Sequence, residues 1–239
     1  MKTKTLLLFL GIIAMMIASS LIYALPTGPV ITYVSNSSAA SLPSNRTQDE
    51  KGTITVITMV ANQQDYKWKA YVGNVSGKLA LDDGTAFTIY DWTMGTPSGE
   101  VYVTRASTVN WPNVTCASQA MIYTEENEVD ISSATVDSIN STFNSQSHKS
   151  FSAGTVDIVN SSCRSTATYV SDASQVVNET SVFQEILLGD AGTSNLIYAT
   201  TIEDNALGYN NQTYDFQLLV AENESATVPF TYFFYVELG

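Results

Sequence analysis

Apolar and polar residues alternate with a period of two along much of this chain. Asp65–Val72 (DYKWKAYV) sets Tyr66, Trp68, Ala70 and Val72 on one side and Lys67 and Lys69 on the other, the mark of a half-buried strand. Phe87–Trp92 (FTIYDW) alternates in the same way, and Glu100–Arg105 (EVYVTR) continues the texture. Thr53–Val60 (TITVITMV) is rich in β-branched residues, which suit a pleated surface, and Lys78–Leu81 adds a short run. Gly73-Asn74, the hairpin signal Asp82-Asp83-Gly84 and Thr96-Pro97-Ser98-Gly99 separate these runs as turns. Strand-like segments return at 155–159, 166–170, 181–188, 195–201, 213–220 and 228–238. Short strands repeating at intervals of about 8–12 residues predict an all-β fold, an antiparallel β-sandwich-like ectodomain over residues 53–239.

Two stretches break the alternation. Val129, Ser132, Val136, Ile139 and Phe143 follow helical spacing, predicting one short helical insertion over roughly 132–145 with Ser132 or Ser133 as its N-cap. Residues 35–52 are rich in Ser, Asn and Pro and nearly lack apolar side chains, as a flexible linker does. Ahead of the linker, Val30-Ile31-Thr32-Tyr33-Val34 is strand-sized.

Before that lies the apolar run Leu6–Leu25, preceded by Lys2 and Lys4. A positive start, an apolar middle and small residues at the end predict a signal peptide over 1–24, cut after Ala24. About 20 apolar residues also suffice for an uncleaved signal anchor, and a pilin-type leader cut near Lys4 is a third form. The first two readings place the remainder outside the membrane, so the chain is expected to be extracellular or at the cell surface, touching a membrane only through an uncleaved N-terminal segment.

Composition sharpens that placement. Nine Asn-x-Ser/Thr sequons begin at Asn36, Asn45, Asn74, Asn113, Asn140, Asn160, Asn178, Asn211 and Asn223. With 16 Asn, 27 Ser and 28 Thr in 239 residues, chance would give about 4. Each sequon is an acceptor for an N-linked glycan on an exported protein. The formal net charge is −13; without residues 1–24, eight basic residues face 23 acidic ones, a net −15. A surface that acidic repels nucleic acid and anionic headgroups, so neither is an expected partner. The two cysteines, Cys116 and Cys163, share the local pattern N-x-[ST]-C, at Asn113-Val-Thr-Cys116 and Asn160-Ser-Ser-Cys163. In an oxidising compartment they are expected to pair, clamping the helical insertion onto the sheet and contributing about 4 kcal/mol through loop closure.

Side chains that could carry chemistry are few. His148 is the single histidine and stands without a nucleophile elbow, so it reads as a polar loop residue rather than a general base. Asp82-Asp83, Glu125-Glu126 and Glu203-Asp204 supply acid pairs, and a glycosidase would need two carboxylates flanking the bond; a hydrolase ranks third among the readings. Asp82, Asp83, Asp190, Glu203 and Asp204 are the candidate calcium ligands, though no EF-hand spacing is present and no cofactor is otherwise expected. Trp68, Trp92 and Trp111, with 13 tyrosines, could build a sugar-stacking platform, but alternating aromatics are first of all core. Val30–Val34 is the strand-exchange candidate: tethered by a linker, it could add to the open sheet edge of a neighbouring copy, and repetition head to tail would give a filament.

Tyr66–Leu79, Ile89–Trp92, Ser98–Tyr102 and Val109–Cys116, with Thr213–Asn223 and Thr231–Leu238, resemble secreted archaeal cell-surface glycoproteins of uncharacterised role. The resemblance implies an exported, glycosylated envelope protein and supplies no catalytic residue or ligand. The expected function is structural, an envelope or filament subunit associating with itself or with other envelope proteins. The alternative is an adhesion module that binds carbohydrate or a partner cell.

Overall fold

Two alternating strands, β4 (Gly99–Thr104) and β10 (Leu196–Thr201), pair antiparallel at the centre of the protein. The computed structural model describes residues 26, 28–35, 67–82, 88–223 and 229–239. The leader, the linker and the expected strand Thr53–Val60 lie outside the described residues, apart from Pro26, residues 28–34 and Ser35.

On its far side β4 pairs with β14 (Phe233–Leu238), and β10 pairs with β9 (Gln184–Asp190). The outer side of β9 is shared by β5 (Val114–Cys116) and β8 (Ser165–Ala167), so six antiparallel strands form the main sheet. Register places Phe234, Val103, Tyr198 and Leu187 in one row across the sheet, and Tyr235, Tyr102, Ala199 and Ile186 in the adjacent row on the opposite face. Each face therefore buries its own core, as period-two alternation requires.

The first core lies under a ribbon of β1 (Trp68–Gly73) and β13 (Phe216–Ala221) and two helices, α1 (Gln119–Glu128) and α2 (Ile139–Thr142). Leu187, Tyr198, Ile122, Ile139, Phe143 and Val220 are fully buried there. The second core gathers Tyr102, Ile186, Leu188 and Ile197 against Trp111, Cys163 and the hairpin of β6 (Phe151–Ala153) and β7 (Val156–Ile158). Burying each such aliphatic or aromatic side chain contributes roughly 1.5–3 kcal/mol. The result is the all-β, sandwich-like architecture that the alternation predicts. Smaller pairs complete it: β2 (Lys78–Asp82) with β3 (Thr88–Thr93), and β11 (Ala206–Leu207) with β12 (Thr213–Tyr214).

The helical expectation needs correction. The longer helix is α1, ahead of the predicted segment; within 132–145 only the single turn of α2 forms. Ser118 caps α1 by accepting from the Met121 N–H, and Ser138 caps α2 by accepting from the Ser141 N–H. Ser132, the predicted cap, accepts from the Ala134 N–H in a local turn instead, one of the backbone bonds with which serine competes against helix. The facing of β1 also differs: Tyr71 packs into the first core while Ala70 is exposed.

Candidate functional site

β14 is an edge strand. Its inner side is laddered to β4 over Phe233–Leu238, and its outer side pairs with no described strand. Outward-facing main-chain N–H and C=O groups make such an edge a template for another strand. Its side chains are well anchored: Phe234 meets Tyr71 edge-on at 4.9 Å between ring centroids, and Tyr235 meets Trp111 at 5.4 Å. Gly99, opposite Leu238, has φ +118°, and a Cβ there would lie 2.1 Å from the Glu237 carbonyl oxygen, so only glycine admits this close pairing.

The N-terminal segment passes beside the same strand. Pro26 is buried, and a Cβ added to Gly28 would come within 3.9 Å of the Phe234 carbonyl oxygen. Beyond Gly28 the chain stands in water: Val30 is 98 % exposed, Ile31 64 %, Tyr33 74 % and Val34 89 %, with Thr32 exposed among them. None of these five residues belongs to a strand. The strand-exchange candidates thus lie near an edge that pairs with no described strand, and residues 30–34 make no ladder with it.

Opposite residues at the base of β14 and β4 are both acidic. Glu237 and Glu100 are cross-strand partners. The Tyr102 hydroxyl (3.0 Å) and the Gly154 N–H (2.9 Å) both donate to Glu237 Oε2. Burial, then the charge of Glu237, push the Glu100 carboxyl up to about 8, with Lys149 pulling the other way. Lys149 donates to Glu203 Oε1, which also accepts from the Thr201 hydroxyl at 3.2 Å. A cavity of about 250 Å³, lined among others by Thr104, Arg105 and Glu125, lies at the opposite end of β4 from this carboxylate pair.

The calcium candidates do not converge. Asp190 and Glu203 flank opposite ends of β10, and Asp190 is already saturated: Oδ2 accepts from Asn110 N–H (3.0 Å) and Oδ1 from Gly192 N–H (2.8 Å). Burial opposes its ionisation, but these N–H groups, with the backbone and hydroxyl of Thr193, hold its carboxyl below the usual range. Asp204 is exposed and accepts from the Asn205 side chain, Asp83 lies outside the described residues, and Asp82 ends β2. Among the described residues no group of three or more His, Cys, Asp or Glu side chains could hold a metal ion.

Cys116 and Cys163 are joined, with Cα atoms 4.9 Å apart at a sequence separation of 47. The bond connects the end of β5 to a position two residues ahead of β8, tying together the two short strands that share the outer side of β9. His148 is in a loop but fully buried. Its Nε2 accepts from Ser162 N–H (3.2 Å) and Cys163 N–H (2.9 Å), and Nδ1–H donates to Lys149 O (2.7 Å). The ring is therefore a neutral strut beside the disulfide. Of the tryptophans, Trp111 is core, Trp68 is half-buried with Nε1 bonded to Asp137 O, and Trp92 is 51 % exposed.

Asn74, Asn113, Asn160 and Asn211 are exposed, and Asn140 and Asn178 are half-buried. Asn223 is only 7 % exposed and its Nδ2 donates to Asp130 O, so the folded domain does not present it. Asn36 and Asn45 lie outside the described residues.

Sequence reasoning missed the internal acids. Glu125, Glu126, Glu185, Asp190, Asp215 and Glu237 are buried, so the negative charge is not all at the surface. Asp215 accepts from the N–H groups of Val75 and Asn205, Glu126 from Asn140 and Glu185 from Leu219, so these carboxylates satisfy main-chain donors in the interior. Burial pushes the Glu185 carboxyl well above the usual range, the Leu219 N–H opposing. The one sequence cue was an acid set inside an apolar strand, as in Gln184-Glu-Ile-Leu-Leu188. Among the described residues no helix is long and apolar enough to cross a membrane. No protein-family model, curated protein or solved structure matches this chain.

Proposed function

We propose that the chain is an extracellular structural subunit that joins its copies by β-strand addition. Val30–Val34 of one copy would lie along the outer side of β14 of the next. One observation carries the reading: a strand-sized apolar segment, in no described strand and exposed to water, follows immediately after the chain passes a sheet edge that pairs with no described strand. Exposed apolar surface costs about 25 cal/mol per Å², and an edge strand leaves hydrogen-bonding groups unladdered. Docking one onto the other removes both costs. Donor and acceptor are different surfaces, so the contact is heterologous and repeats head to tail, giving a filament where the rotation between copies does not close a ring. The sequons and disulfide fit an exported glycoprotein of an envelope, with glycans shielding surfaces that should not pair.

The test compares native protein with a chain carrying Ile31→Pro and Tyr33→Pro, by negative-stain microscopy and size-exclusion chromatography. Prolines remove the N–H groups a docked strand must donate. Fibres or oligomers that vanish in the variant support the reading. A monodisperse monomer in both forms overturns it.

A further inference from the structure

The hairpin of β2 and β3 pairs only with itself among the described residues. A two-stranded ribbon is marginal alone, and this one is held at its base: Met94 N–H donates to Gly77 O (3.0 Å), and Gly77 sits so close to the Leu238 side chain that a Cβ would lie 2.3 Å from Cδ1. The hairpin nonetheless carries aromatic residues outward. Tyr90 and Trp92, two apart in β3, share a face, with ring centroids 5.3 Å apart and planes 30° from parallel. Tyr90 is 61 % exposed, Trp92 51 %, and Leu81, opposite Tyr90, 52 %. Neither the Tyr90 hydroxyl nor the Trp92 Nε1–H is bonded to a described residue.

We infer that Tyr90 and Trp92 form a binding platform for a neutral saccharide. An aromatic ring offers an apolar face and, in these two residues, a polar edge. A sugar ring has the matching anatomy, a C–H face ringed by hydroxyls that can accept from Nε1–H and exchange bonds with the tyrosine hydroxyl. The charges specify a neutral ligand. Lys78 and Asp91 on the opposite face neutralise one another at 2.9 Å, no Lys or Arg of β2 or β3 shares the platform face, and the chain as a whole is at −13. The exposed Ile89 lies on the other face of the ribbon, so the platform is two rings and Leu81, a footprint on the scale of a sugar ring rather than of a protein interface. The platform is independent of Val30–Val34 and gives the subunit an adhesive surface.

The experiment titrates the full chain with neutral hexasaccharides of glucose, galactose and mannose, and with a sulfated heparin hexasaccharide as charge control. Intrinsic fluorescence reports the site, since Trp111 is buried and Trp68 half-buried. At least one neutral sugar is expected to bind and alter the emission. Trp92→Ala and Tyr90→Ala should each weaken it by about tenfold or more, with unchanged thermal melts because the side chains are exposed. Trp92→Phe, which keeps a ring but loses the donor, should fall between. Binding of none of the neutral sugars, equal binding by Trp92→Ala, or preference for the sulfated sugar would overturn the inference. So would a self-associated state dissolved by Trp92→Ala without sugar binding.

Discussion

Glu100→Gln isolates the electrostatic weak point of the edge strand. In the folded protein the Glu100 carboxyl is raised from 4.5 to about 8 by burial and by Glu237 across the β4–β14 ladder. The unfolded chain releases that proton near 4.5, so between the two values the folded state holds the extra proton. Stability from this group is complete below pH 4.5, declines as pH rises, and is gone above about 8. At 1.36 kcal/mol per pH unit the interval amounts to at most about 5 kcal/mol. Partial exposure of Glu100 and the neighbouring Lys149 reduce this, so about 2–4 kcal/mol is the expected loss between pH 5 and 8.5. The Glu100→Gln side chain mimics the protonated form and cannot ionise. Urea titrations across pH 4–9 should show wild type and variant nearly equal at pH 4.5, with the variant more stable by that margin at pH 8.5. Glu185 is raised in the same direction and titrates in both proteins, so the difference between the two curves belongs to Glu100. Parallel curves would refute the assignment. Above pH 8 the two like charges across the ladder should also loosen β14, so any assembly through its outer edge should weaken there.

Replacing Cys116 and Cys163 together by alanine should cost about 4 kcal/mol, the closure entropy of the 47-residue span, read as a lower denaturation midpoint with a steeper slope because the uncrosslinked denatured chain exposes more surface; no change would mean the covalent link is redundant with the β5–β9–β8 pairing. Gly99→Ala should destabilise by about 3 kcal/mol or more, because its methyl meets the Glu237 carbonyl at 2.1 Å in a positive-φ conformation, and a neutral effect in thermal melts would contradict the register of β14 on β4. His148→Ala strands the Ser162 and Cys163 N–H groups in the interior and should cost about 2–4 kcal/mol, measured by urea denaturation, whereas a surface histidine would cost almost nothing. In protein made by a glycosylating host, Asn160→Gln should remove mass on intact-protein mass spectrometry while Asn223→Gln should not, since Asn223 is buried and bonded; the reverse result would refute the inference from burial.

What the chain itself determined is local. Alternation over Glu100–Arg105 and Asn195–Thr201 produced β4 and β10 because a period of two puts successive side chains on opposite faces whatever the partner strand. The hairpin signal at 82–84 starts at the last residue of β2, which pairs antiparallel with the next strand β3, and two cysteines in one chain leave a single intramolecular pairing. Partner choice was not local. β1 belongs with β13 and β4 lies between β14 and β10, pairings that cross most of the sequence and follow from how two cores can be covered at once. The helix moved to Gln119–Glu128 because Ser118 supplies a cap there and Ile122 reaches the core, although the segment has almost no periodicity of its own. The acids show the limit most plainly. In sequence Asp190 and Glu203 look like solvated ligands, and Glu100 and Glu237 like distant surface charges. Only the folded sheet determines which carboxylate meets backbone N–H groups and ionises more readily, and which meets another carboxylate and keeps its proton, because desolvation and hydrogen bonding depend on neighbours that the chain brings from far away.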